Sequence, residues 1–190
     1  MHATETKRTL YRKRELVRLA FAAADFRAAL WITRNALSDP AETPTGSDIH
    51  FALWTAAVVC YARPFSASNR VGGLSARYAR GFPEERLKGM HETLLRERKR
   101  SVAHTDEVEL ANVAWVFPPS TERPKGGIGV ARAPFLREAI TDAADLCLFQ
   151  KNRMIDRAEE VIVELYGVAQ SERPIRLTYP TDEEIAAAPP

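Results

Sequence analysis

The sequence predicts a mainly α protein, an antiparallel helical bundle with a small inserted β-hairpin, and three observations carry that prediction. Two segments of about thirty residues each, 6–37 and 135–166, repeat apolar side chains at three- and four-residue steps, the period of a helix with one buried face. Of two shorter segments between them, the first is apolar nearly all round and the second again carries an apolar stripe. Only residues 107–132 switch to two-residue alternation bounded by proline and glycine, the pattern of short strands and turns. At 190 residues, 45% hydrophobic and 27% charged, the chain suits one domain with a proper core and is too apolar for a disordered one. The expected layout is a single helical domain over 1–170, with the hairpin at about 107–132, and an irregular tail over 171–190.

Each element has a local cause. Helix one runs from about Thr6 to Leu37 without Gly or Pro, and Leu16, Leu19, Ala20, Ala23, Phe26 and Leu30 mark its inward face. Ser38-Asp39-Pro40 opens a loop, after which Ser47 or Asp48 caps a second helix so apolar that it should lie centrally. Pro64 ends it by lacking an N–H and clashing with the preceding turn. Residues 66–82, with Gly72, Gly73 and Gly81, form a basic connection with room for one helical turn. Pro83 as a first-turn residue, followed by Glu84 and Glu85 where the helix dipole favours acids, starts a third helix to about Ala103. The fourth ends at Tyr166 because Gly167 stands where a left-handed cap belongs.

Charge is distributed unevenly. Residues 63–100 hold ten Lys or Arg against four acids, or +6, so with the chain at +2 the remainder is −4. Such a segment can hold a phosphate-rich ligand, although a solvated basic face is as common a use. The longest apolar run, 51–62, is shorter than the roughly twenty residues a membrane-spanning helix needs. Cys60 and Cys147 sit in apolar helical patterns with no CxxC partner, so reduced core thiols and a cytoplasmic protein are expected. Gly127-Ile128-Gly129 fails as a phosphate loop, since Arg132 stands at the sixth position, and the four histidines share no zinc spacing.

The end of helix three draws attention. Arg98 falls four residues after Leu94 and four before Val102, placing a cation within the apolar stripe, where burial without a partner is costly. His91 lies on the same stripe, and His104 stands just beyond the helix. A guanidinium clamp beside a histidine suits a phosphodiester, the first neutralising phosphate and the second moving a proton. In the competing reading, Arg98 pairs with an acid on another helix, such as Glu15 or Asp145, while His104 caps the helix. Six helical steps leave Arg98 and His104 about 120° apart, so they converge only if the helix ends near Ala103 or if two protomers share the site.

Residues 95–106, reading LRERKRSVAHTD, resemble the Arg-x4-6-His signature of HEPN domains, the higher eukaryotes and prokaryotes nucleotide-binding superfamily. They are similar in particular to bacterial members in which RDKxVAHxD follows a helix opening with His-x-x-Leu. Tyr61-Ala62-Arg63-Pro64-Phe65 resembles the YxRPF segment of the same proteins. The likeness covers roughly residues 10–170. It implies a helical bundle that forms a homodimer, with two Arg-His motifs in one cleft that cleaves RNA without a metal or other cofactor. Arg98 and His104 match the catalytic pair, and Lys99 and Arg100 would hold the flanking backbone. Arg63 matches the arginine of the second segment, as a phosphate ligand or a structural residue. Lys99 stands where the family usually has Asn, Asp or His, a departure that bears on activity. Many such proteins belong to toxin-antitoxin or abortive-infection systems. The rival readings are a non-catalytic dimeric module that binds a nucleotide or a protein, and a toxin neutralised by a minimal nucleotidyltransferase.

Overall fold

A computed structural model describes residues 5–36, 48–66, 72–99, 114–116, 128–130, 137–167 and 179–189. Five α-helices account for most of them: α1 Lys7–Trp31, α2 Asp48–Ala62, α3 Glu85–Glu97, α4 Arg137–Tyr166 and α5 Asp182–Ala187. A π-turn, Ile32–Ala36, extends α1, and short 3-10 turns follow at Arg63–Phe65 and Ala76–Ala79. No described helix is long and apolar enough to cross a membrane.

Local chemistry accounts for the ends. The Thr6 hydroxyl accepts from the Thr9 N–H at 3.3 Å and opens α1. At the close of α4, Gly167 takes φ 82° and its N–H donates to the Val163 carbonyl at 2.9 Å, a conformation that would strain any side chain. Glu84 is the N-cap of α3, so Pro83 stands before the cap and not within the first turn as expected. The α-helical part of α3 stops at Glu97; Arg98 and Lys99 continue in a wider π-type turn, and the rest of the run expected to reach Ala103 lies outside the described residues.

Pair contacts fix the topology. Arg12 meets Glu164 at 2.8 Å and Glu15 meets Arg157 at 3.0 Å, so α1 and α4 run antiparallel. Trp54 reaches Glu97 and Tyr61 reaches His91, so α2 and α3 are antiparallel too. Arg86 beside Asp142 and Asp145, with Phe82 beside Phe149, sets α3 against α4 in the same sense. The carboxyl ends of α1 and α3 and the amino ends of α2 and α4 therefore share one end of the bundle.

The core is the convergence of these helices. Leu16, Leu19, Phe26, Val58, Tyr61, Leu94, Leu146, Cys147, Met154 and Val161 are all buried, and α1 packs most broadly on α4. Each fully buried large side chain removes area worth about 1.5–3 kcal/mol, so this cluster is the main source of stability. Cys60 and Cys147 are both free thiols, and burial pushes that of Cys147 far up.

Two regions differ from the expectation or fall partly outside it. Ala114–Val116 and Ile128–Val130 pair antiparallel with Trp115 opposite Gly129, while the rest of the 107–132 segment lies outside the described residues. The tail expected to be irregular ends in α5, capped by a reciprocal box in which Thr181 and Glu184 satisfy each other's backbone N–H groups. Arg14 holds this tail to α1, donating to the Pro180 carbonyl at 2.6 Å and to Asp182 at 2.5 Å. Ile185 is buried beneath it.

Candidate functional site

Along α3 the inward stripe carries Leu87, His91 and Leu94, all buried. The Tyr61 hydroxyl and His91 Nδ1 share a 2.7 Å hydrogen bond, and both residues are buried. Aromatic rings from α1, from the turn after α2 and from the segment before α3 surround this pair. Phe65 and Phe82 lie 4.9 and 5.0 Å from the imidazole, and Phe26 lies 5.4 Å from the Tyr61 ring. Burial lowers the His91 pKa, so the imidazole is held neutral, and burial raises that of Tyr61 well above the usual phenol value. The two segments that carry the HEPN resemblance, the Tyr61–Phe65 stretch and the helix opening with His91-x-x-Leu94, thus meet in space. Their meeting is a buried polar contact. Tyr61 has no exposed surface at all.

Arg98 stands about 10 Å farther along the helix at ~1.5 Å per residue. Its neighbour Glu97 turns toward α2 and accepts a 2.7 Å hydrogen bond from Trp54 Nε1. Arg98 itself is half-buried and Lys99 exposed. Among the described residues Arg98 has no carboxylate partner, and both acids proposed for that role are engaged elsewhere. Glu15 holds Arg12, Arg77 and Arg157 at 2.6, 2.8 and 3.0 Å. Burial alone would raise its pKa, but the hydrogen bonds from Arg157 and Arg12 hold the carboxyl below its ordinary value. Asp145 sits 3.0 Å from Arg86, which also binds Asp142 and Glu84. Among the described residues, then, no acid on another helix pairs with Arg98.

Arg63 occupies a different place. Its guanidinium donates to Asp25 at 2.8 Å, and burial outweighs this cation in setting the Asp25 pKa, which is raised. Nine residues of α2 and its extension, about 13 Å at ~1.5 Å each, separate Arg63 from the level of Trp54 and Glu97. The structure therefore brings Lys99 beside Arg98 and places Arg63 toward the opposite end, committed to α1. His104 and Arg100 lie outside the described residues. Among the described residues, no three His, Cys, Asp or Glu side chains gather where they could hold a metal ion.

The Tyr61–His91 contact escaped sequence reading. Its signal was available as a histidine at a core position of α3 and a tyrosine at the end of the most apolar helix, but pairing them requires the register of α2 against α3. Comparison with known proteins found no family model, no curated protein and no solved structure that matches the chain.

Proposed function

We propose that this chain is a metal-independent endoribonuclease of the HEPN type, acting as a homodimer in a toxin or phage-defence role. The observation that supports this reading is the cation of Arg98, half-buried at the end of α3 with no carboxylate partner among the described residues. A charge left in that setting is favoured when an anion completes it, and the fork of a guanidinium matches a phosphate. His104, six residues on, is the proton carrier in this reading; its ordinary pKa near 6.5 suits transfer at neutral pH. It takes the proton of the ribose 2′-hydroxyl, whose oxygen attacks the adjacent phosphorus. The 5′-oxygen leaves and is protonated in turn, giving a 2′,3′-cyclic phosphate and a 5′-hydroxyl. Arg98 stabilises the charge that builds on the phosphoryl oxygens, and Lys99 and Arg100 hold the flanking backbone.

Incubation of the purified protein with single-stranded and loop RNA in EDTA tests the proposal. Cleavage of RNA but not DNA, with cyclic or 3′-phosphate ends, is expected. One observation favours a second reading, a non-catalytic dimeric nucleotide- or protein-binding module: Lys99 replaces the polar residue the resembling family usually has there. Intact RNA at high protein concentration selects that module over the enzyme.

A further inference from the structure

Residues 179–189 lie on the side of α1 turned away from the bundle core. Nine steps of about 100° set Leu10, which they cover, opposite Leu19, which belongs to the core. Ile185 is buried there at 5% exposure, yet among the described residues it stands outside the hydrophobic cluster that joins α1 to α4. A six-residue helix such as α5 is too short to persist without a surface to lie on, so its stability comes from this contact alone. The segment is therefore a unit of its own, and lifting it leaves the core untouched.

The contacts read particular parts of the segment. Arg14 donates from Nε to the Pro180 carbonyl at 2.6 Å and from Nη1 to Asp182 at 2.5 Å, and its guanidinium stacks 5.0 Å from the centre of the Tyr179 ring. Arg18 reaches the Tyr179 hydroxyl at 3.3 Å. At the far end the Lys7 N–H, one of the donors a helix leaves unpaired at its start, donates to the Pro189 carbonyl at 2.8 Å. The two carbonyls could come from any sequence. The other contacts pick out an aromatic residue before a proline, an acid two positions after it, and an aliphatic side chain about one turn farther on. Charge narrows the choice again. Residues 7–18 hold six Lys or Arg against one acid, or +5, and the first turn of α1 carries cations where the helix dipole favours acids. Asp182, Glu183 and Glu184 answer that field. The Arg14 side chain is only 11% exposed, a setting in which a cation needs the anionic and carbonyl partners it has.

We propose that this outer side of α1 is a docking groove for an acidic segment that begins a helical turn after an aromatic residue and a proline, filled by residues 179–189 of the chain itself and open to a segment of the same chemistry on another protein when these lift. Arg14 is its selective contact. A segment on the same chain competes at an effective concentration on the order of a millimolar, so against a free Kd of about a hundred micromolar it is lifted roughly a tenth of the time. The groove stands apart from the end of α3 and does not rest on the ribonuclease reading.

Fluorescence anisotropy of a labelled peptide of residues 179–190 tests the groove, with the full chain as receptor. Ile185→Asp removes the apolar anchor of the docked segment, and this variant should bind the peptide with a Kd of about a hundred micromolar, while the parent binds it about tenfold more weakly because its own segment competes. Adding Arg14→Ala to Ile185→Asp should weaken binding by about tenfold or more, and a peptide carrying Asp182→Lys, Glu183→Lys and Glu184→Lys should not bind. In the parent, amide hydrogen exchange within α5 should run at least about a hundredfold faster than at Met154 of α4, which opens only with the bundle. A peptide that fails to bind the Ile185→Asp variant at about a millimolar overturns the proposal. So does equal binding of the lysine peptide. Exchange in α5 as slow as that of Met154, or loss of the bundle's helical signal in Ile185→Asp, also overturns it, since either makes the segment an integral part of the bundle. These readouts need no RNA, so failure of the cleavage assay leaves the groove standing, and failure of the peptide to bind leaves the Arg98 assay to be judged alone.

Discussion

Seven residues separate His91 from Arg98, and both stand where α3 turns toward the bundle, yet they are treated in opposite ways. His91 is enclosed by rings and bonded to Tyr61 at 2.7 Å. Arg98 ends the same helix with its charge unmatched by any described carboxylate. The difference teaches that a polar residue in an apolar stripe has no single meaning. Within the bundle such a residue persists because a neutral form and one good hydrogen bond offset its burial. At the helix end, a cation can persist half-buried because water or an anion can reach it.

Substitutions should separate the two ends, beginning with the largest effect. Tyr61→Ala removes a fully buried ring and strands His91, and a loss of about 3–5 kcal/mol in denaturant unfolding is expected, against about 1–3 kcal/mol for Tyr61→Phe. If Tyr61→Ala melts like the parent, the buried contact is not what joins α2 to α3. Arg98→Ala and His104→Ala should leave the melt unchanged while each lowers RNA cleavage by about a hundredfold or more, the size expected for a lost transition-state donor or proton-transfer group. Equal cleavage by both variants would remove the enzymatic half of the comparison.

Acid should act on the His91 end first. Its folded pKa lies below the ordinary value, so between the two values the unfolded chain binds a proton that the folded chain does not. This contribution is nil above about pH 6.5, and stability then falls as pH drops, by at most about 1.4 kcal/mol per pH unit. His91→Gln should flatten that part of the profile, and a slope that persists unchanged assigns it to another group. The smallest effect belongs to Arg63→Ala. Half of that side chain is exposed, and an exposed ion pair is worth about 1 kcal/mol or less, so only a slight change in melting and none in RNA cleavage is expected.

Much of the fold was legible because its boundaries are local chemistry. Pro64 and Gly167 mark helix ends by ring geometry and a left-handed turn, and neither needs knowledge of a distant residue. The helix at the end of the tail is just as local, since Thr181 and Glu184 spell a capping box, although Pro174, Pro180 and the closing Ala-Pro-Pro point to irregular chain. The site was harder for a different reason. Composition places Glu15 and Asp145 within conceivable reach of Arg98, and only the packing of α1 on α4 and of α3 on α4 shows that Arg12, Arg77, Arg157 and Arg86 claim them.

The pairing of the first helix with the last long one also has a consequence for synthesis. Glu15 and Arg157, which meet across α1 and α4, are 142 residues apart in the chain. A ribosome adding roughly 5–20 residues per second needs on the order of ten seconds to span that interval. Throughout it, Leu16, Leu19 and Phe26 have emerged without the surface that will cover them. The bundle can only close late in translation, and until then the apolar face of the nascent α1 waits for α4.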